Sequence, residues 1–332
     1  MITLLELTLF LKQASLALTG AAALWGLYFF YHAKKSRGKK KRTLLGASHK
    51  MLEPLSASLF VFVISWFLLD FRTSFSVLAH EGVVIDPTIQ GLIAGLNVSE
   101  PFAIALMLVF AAGLICRAIN KDAFTKHINA FYATILALAT LVISLPVWTG
   151  ALDPDKLFFI GHNVHSILTL GTVLVLDFIM LVAKYADEYK KYLYPHLPAF
   201  SKVIWLGLAI DFLSVAFVFE RAMEVTTQFM FMQTVVAIII INGLFLSGPI
   251  TQQLLKTIKG KTVKPLPKNW NRIATISGCI SIASWTTITF TDFLKGVDHI
   301  HYLTFIGFYL AFLVVTYIVY EAMEHYKVGH NW

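Results

Sequence analysis

The stretch LFFIGHNVHSILTLG, residues 157–171, sets His162 and His165 three positions apart where a polar loop runs into an apolar segment. Residues at i and i+3 of a helix share a face, and imidazole binds copper, zinc, iron and haem, so the pair can act on one ligand. A second pair stands in DHIH (298–301), where His299 and His301 alternate and would point the same way in extended backbone. His80 and Glu81 lie in another loop, and Met223, Met230 and Met232 add thioethers that favour Cu(I). The expectation is a haem or metal site made by His162, His165, His299 and His301, with His80 as a further metal ligand. The plainer reading makes these wetted side chains at helix ends, because about one pair at such spacings arises by chance in a chain with 11 histidines.

Two carboxylates lie deeper in apolar runs. Asp177 falls about seven residues before the end of one run and Asp211 about nine residues into the next, roughly 10–14 Å from the same surface at 1.5 Å per residue. Those depths allow them to face each other, and carboxylates there commonly mark a proton or ion path; the plainer reading bonds each to a Ser or Thr of a neighbouring helix. Lys12 lies near the opposite surface, where it snorkels or answers a carboxylate such as Asp70, Glu220 or Asp292. His49 and His127 start spans on the other side and offer a weaker bis-histidine haem alternative. Glu53-Pro54, Pro146 and Gly248-Pro249 are breaker positions.

What must hold these groups is a membrane bundle. The chain of 332 residues is 57% hydrophobic and only 14% charged, with a mean hydropathy of +0.71. Its apolar runs match the roughly 20 residues a helix needs to cross hydrocarbon. Nine spans are expected, at 4–31, 49–71, 99–117, 128–149, 157–183, 202–220, 228–250, 272–293 and 301–323. The fold class is therefore all-α, a polytopic helix bundle forming a single integral membrane domain over 1–332. The loop at 72–98 contains Pro87, Gly91 and Gly95, which argue against a straight helix there. Asn97-Val98-Ser99 is a glycosylation sequon.

Of the 27 lysines and arginines, all but Lys12, Arg72, Lys156, Arg221 and Lys295 fall in alternate loops, beginning with KKSRGKKKR (34–42). The positive-inside rule then puts the amino terminus outside and the carboxyl terminus in the cytoplasm. The net charge of +8 is thus a property of cytoplasmic loops, and no nucleic-acid partner is expected. Cys116 and Cys279 lie in or at the end of apolar spans with no CxxC motif, which excludes a disulfide framework. The start, MITLLELTLFLKQ, lacks a basic n-region and is expected to be the first membrane helix.

Setting LKQASLALTGAAALWGLYFF (11–30) beside HNVHSILTLGTVLVLDFIML (162–181) places Gly20 opposite Gly171. It suggests a four-plus-four parallel repeat, with halves 1–150 and 151–298 and an extra helix at 299–323. The helix starts LKQASLALTG (11–20), HNVHSILTLG (162–171) and HIHYLTFIG (299–307) resemble those of the CopD-like copper-resistance and HemJ-like protoporphyrinogen oxidase membrane proteins. That resemblance implies histidines at helix ends serving copper passage or haem. Where the first helix would carry a histidine, this chain has Lys12, Gln13 and Ser15.

Three functional expectations follow. The first is a cytoplasmic-membrane protein with a haem b or copper site near its outer face, in electron transfer or metal handling, with quinone or redox subunits as partners besides the lipid bilayer. The second is a proton-coupled secondary transporter using Asp177 and Asp211, with Lys12 on the substrate side. The third is a structural anchor subunit of a larger complex. No Walker A loop, GxGxxG, HExxH or nucleophile elbow occurs, which argues against ATP hydrolysis. Whether the chain is an enzyme stays open.

Overall fold

The computed structural model describes residues 4–79, 87–145, 160–161, 163–184, 187–222, 226–260, 262–291, 294 and 300–328. Among them no strand occurs, and nine helices are long and apolar enough to cross a membrane. The first four spans are built by α1 (Leu4–Lys34), α2 (Gly38–Lys50) with α3 (Leu52–Ala79), α4 (Pro87–Ile119) and α5 (Lys121–Ser144). The fifth continues a π-helical segment, Ile167–Gly171, into α6 (Thr172–Lys184). After α7 (Asp187–Leu193) and a 3-10 turn at Tyr194–His196, α8 (Leu197–Ala222) forms the sixth span. The seventh joins α9 (Thr227–Phe245), a second π segment at Leu246–Ile250 and α10 (Thr251–Thr257); α11 (Lys268–Thr291) and α12 (Tyr302–Val328) complete the set.

The apolar loop expected before residue 99 is a correction. The backbone of 87–98 is helical and continuous with the third span. Pro87 takes the first helical position, where a missing N–H costs nothing because that group has no intrahelical acceptor. Pro101 sits farther inside the same helix, as membrane helices tolerate.

The chain divides into two compact units. In the first, Thr3–Phe178 with Val203–Met223, α1 is the central helix and packs against α2, α3, α5 and the first π segment. It is apolar on every side, as a surrounded helix must be; Leu16, Ala17, Ala21, Ala22, Trp25 and Phe29 are almost fully buried. In a bilayer, helices gain little from hydrophobic burial against one another, so close packing and hydroxyl hydrogen bonds hold them. Thr19 and Ser58 share a hydrogen bond of 2.8 Å between α1 and α3, and Ser48 Oγ donates to the Gly26 carbonyl at 2.9 Å. A Cβ on Gly26 would stand 2.5 Å from the Tyr132 ring, whose hydroxyl donates to the Ser48 carbonyl at 2.5 Å.

The second unit comprises Ile179–Lys202 and Glu224–Trp332. Here α9, α11 and α12 pack mutually. Asn242 Nδ2 donates to the Ser277 carbonyl at 2.8 Å, Thr234 bonds Tyr302 at 2.8 Å, Ser284 bonds Tyr309 at 2.9 Å, and Phe231 stacks on Phe305 at 5.0 Å. The outward faces stay apolar: Phe60 and Phe67 on α3, Leu108 and Ile119 on α4, Leu303 and Phe308 on α12 are exposed. In water such surface would aggregate, whereas hydrocarbon is its natural neighbour.

Paired residues give relative direction. Lys12 lies by Trp66, Thr19 by Ser58 and Gly26 by Ser48, so the first two spans are antiparallel. Gln13 with Ser166, Ala17 with Gly171 and Trp25 with Thr172 ascend together, so the first and fifth spans are parallel. Gln228 with Thr291 and Asn242 with Ser277 make the seventh and eighth antiparallel.

Candidate functional site

The polar groups of the first unit gather on the fifth span and its neighbours. His165 Nε2 lies 3.6 Å from Asp211 Oδ1, with both side chains mostly buried. That separation is an ion pair when the imidazole is protonated and is too long for a direct hydrogen bond. The approach comes from a stripe of small residues on α8 that meets Gly161 and Thr169 of the fifth span. On α8, Gly207, Asp211 and Ser214 follow at i, i+4 and i+7; a Cβ on Gly207 would stand 2.6 Å from Thr169 Cγ2, and one on Gly161 would stand 3.2 Å from Ser214 Oγ. Small residues above and below the carboxylate thus let the helices close around it.

Next to this pair, Gln13 Nε2 reaches Ser166 Oγ at 3.4 Å, and Ser166 Oγ in turn donates to the Asn163 carbonyl at 2.7 Å. Lys12 turns to the other side of α1, where its ammonium lies 4.8 Å from the centre of the Trp66 ring. A cation over an indole face is stabilised without a full counter-charge. Among the described residues Lys12 makes no ion pair; the side chains of Asp70, Glu220 and Asp292 lie outside the described set.

Directly below is the π segment. Gly171 lies so close to α1 that a Cβ would meet the Ala17 carbonyl oxygen, and would stand 2.8 Å from Ala21 Cβ. Thr172 Oγ1 donates to the Ile167 carbonyl, five residues back, at 3.2 Å and accepts from Trp25 Nε1 at 3.3 Å. This wide turn changes the phase of the helix. Over the twelve residues from His165 to Asp177 an unbroken α-helix rotates about 1200°, which leaves the two roughly 120° apart. One extra residue in a turn rotates everything after it back by about 100°. Asp177 therefore comes within roughly 20° of the His165 face, about 18 Å farther along. Its Oδ2 is buried with no hydrogen-bond partner among the described residues.

Asp177 and Asp211 do not face each other, which corrects the depth expected from the sequence. The sixth span begins at Leu197, with Pro198 in its first turn, and not at 202. Counting from that earlier start carries Asp211 to the level of His165, a helix length away from Asp177.

Of the expected haem or metal ligands, His162, His299 and His80 lie outside the described residues. His301 is exposed, and its Nδ1 accepts from the Leu303 N–H at 3.3 Å. Among the described residues no three His, Cys, Asp or Glu side chains gather as a metal would require. The described donors, His165 with one carboxylate, do not by themselves make a copper or haem site. At the other end of the unit, His49 Nε2 meets Thr125 Oγ1 at 3.2 Å while His127 is exposed, so these two histidines do not converge.

The pairing of His165 with Asp211 and the phase shift at 167–171 were not read from the sequence. The Gly207, Asp211, Ser214 stripe was the available signal. No protein-family model matches the chain, and no curated protein or solved structure matches it.

Proposed function

We propose that this protein is a multi-pass carrier of the cytoplasmic membrane that couples movement of a small solute to protons, with its amino terminus outside and its carboxyl terminus in the cytoplasm. His165 with Asp211 forms the outer protonatable station, Asp177 the inner one, and Lys12 and Gln13 flank the outer entry. Two features of one span carry the reading: Asp177 Oδ2 is buried with no hydrogen-bond partner among the described residues, and the π segment Ile167–Gly171, by helix geometry, turns Asp177 toward the face of the His165–Asp211 pair. A buried carboxylate oxygen that lacks a hydrogen bond is costly within a membrane unless the group is protonated or meets an ion or water. Broken helical turns are where membrane helices commonly line such paths.

The test is proton flux into proteoliposomes carrying a trapped pH dye. Wild type is expected to conduct or exchange protons, Asp177→Asn to abolish this while folding normally, and Asp211→Asn to shift its pH dependence. Flux that is unchanged in Asp177→Asn rejects the proposal.

A copper or haem site in electron transfer is the second reading, favoured by Asp211 beside His165. Metal-binding imidazoles donate their other ring N–H to a carboxylate, a backbone carbonyl or water; Asp211 lies 3.6 Å from His165 Nε2, close enough to take that role on a small side-chain adjustment, and His162 stands three residues away in sequence. An absorption spectrum before and after dithionite, with metal analysis, decides it: no chromophore and no stoichiometric metal remove this reading.

A further inference from the structure

We propose that the end of the first unit formed by residues 34–42 and the α4–α5 corner docks onto the headgroups of anionic phospholipids. This inference is independent of the transport reading. Between Glu6 and Glu53 the sequence holds no carboxylate, yet KKSRGKKKR packs seven cations into nine positions. Lys34, Lys35, Arg37, Lys39, Lys40, Lys41 and Arg42 are all exposed.

The segment is ordered. Gly38, the described residue with positive φ (57°), turns the chain, and α2 runs back along α1. Thr43, Leu44, Ala47 and Ser48 are buried on its inner face, and Ser48 Oγ holds the Gly26 carbonyl. Since Ser48 is level with Gly26, helix rise puts Arg42 about level with His32 and Lys39 about three residues beyond. Lys35 and Lys40, one from each arm of the hairpin, both lie within electrostatic reach of His32. The cations therefore occupy one thin layer.

That layer sits at headgroup depth. Aromatic side chains mark the membrane boundary, and here Tyr31 is exposed with Lys35 standing 4.1 Å over its ring, and Tyr28 packs on His32 at 4.4 Å. Lys34 and Lys35 follow Tyr31 by about 5 to 6 Å of helix, and the headgroup zone outside the hydrocarbon is about 5 to 7 Å thick. Arg117 and Lys121, at the α4–α5 corner, lie within electrostatic reach of His49 at the end of α2 and extend the patch. Clusters of this size beside a membrane helix attract anionic lipids, each Lys or Arg adding its share.

The test is lipid retention by the full-length protein in mild detergent, titrated with phosphatidylglycerol or phosphatidylcholine and read by native mass spectrometry. Wild type is expected to retain phosphatidylglycerol preferentially, less so at high salt. The K39Q/K40Q/K41Q variant, which leaves the buried face of α2 intact, is expected to retain at least about tenfold less, and K39R/K40R/K41R to retain it as wild type does. Equal retention of the two lipids, or unchanged retention in the glutamine variant with a wild-type melting curve, overturns the proposal. Displacement of the lipid by inorganic phosphate at equal concentration would mark a soluble-anion site and also overturns it.

Discussion

At the level of single residues, the sharpest constraint is Gly171. Any side chain there meets the Ala17 carbonyl, and a backbone cannot yield as a flexible side chain can. Gly171→Ala is expected to lower stability by about 1–3 kcal/mol, seen as a lower melting temperature in detergent. Gly278→Ala, where a Cβ meets nothing within 4 Å, is expected to leave it unchanged or slightly raised. An equal loss in both variants would mean that the contact with α1 is not what requires glycine. His165 and Asp211 should behave as a unit. If they do, His165→Ala, Asp211→Asn and the double variant shift the pH dependence of proton flux by the same amount, whereas additive effects would show that the two act separately. The residue types of both were legible in the sequence as polar groups in apolar runs. Their partnership was not, because partnership depends on where each helix begins.

The helices themselves were mostly legible, since length and hydropathy leave little choice for a chain that must satisfy every backbone group in lipid. Interruptions were harder to place. Gly248-Pro249 was expected as a breaker, and the structure makes it part of the π segment Leu246–Ile250. Ile167–Gly171 has no proline and gave no such warning; its wide turn depends on a hydroxyl and on the close approach of α1. Thr172→Val removes the group that joins the Ile167 carbonyl and the Trp25 indole. It is expected to cost roughly 0.6–1.5 kcal/mol, measured by thermal unfolding. If the turn sets the phase of Asp177, the same variant should also reduce proton flux; intact flux at reduced stability would confine the turn to packing.

For the whole molecule, charge distribution makes the strongest demand. Basic residues in alternate loops and an odd number of spans call for termini on opposite sides. In a variant lacking Cys116 and Cys279, Ser36→Cys should react with an impermeant maleimide only from the cytoplasmic side and His301→Cys only from outside. Labelling of both from one side would break the nine-span topology.

Composition, span lengths and loop charges thus determined an all-helical, multi-pass membrane protein from the sequence alone, because hydrocarbon imposes those properties on any chain that crosses it. Which polar groups meet was decided only by tertiary structure. Rotation about a helix axis changes by about 100° per residue and rise by about 1.5 Å, so the start of α8 at Leu197 was enough to set Asp211 beside His165 and away from Asp177 along the axis, and one wide turn at Ile167–Gly171 to turn Asp177 toward their face.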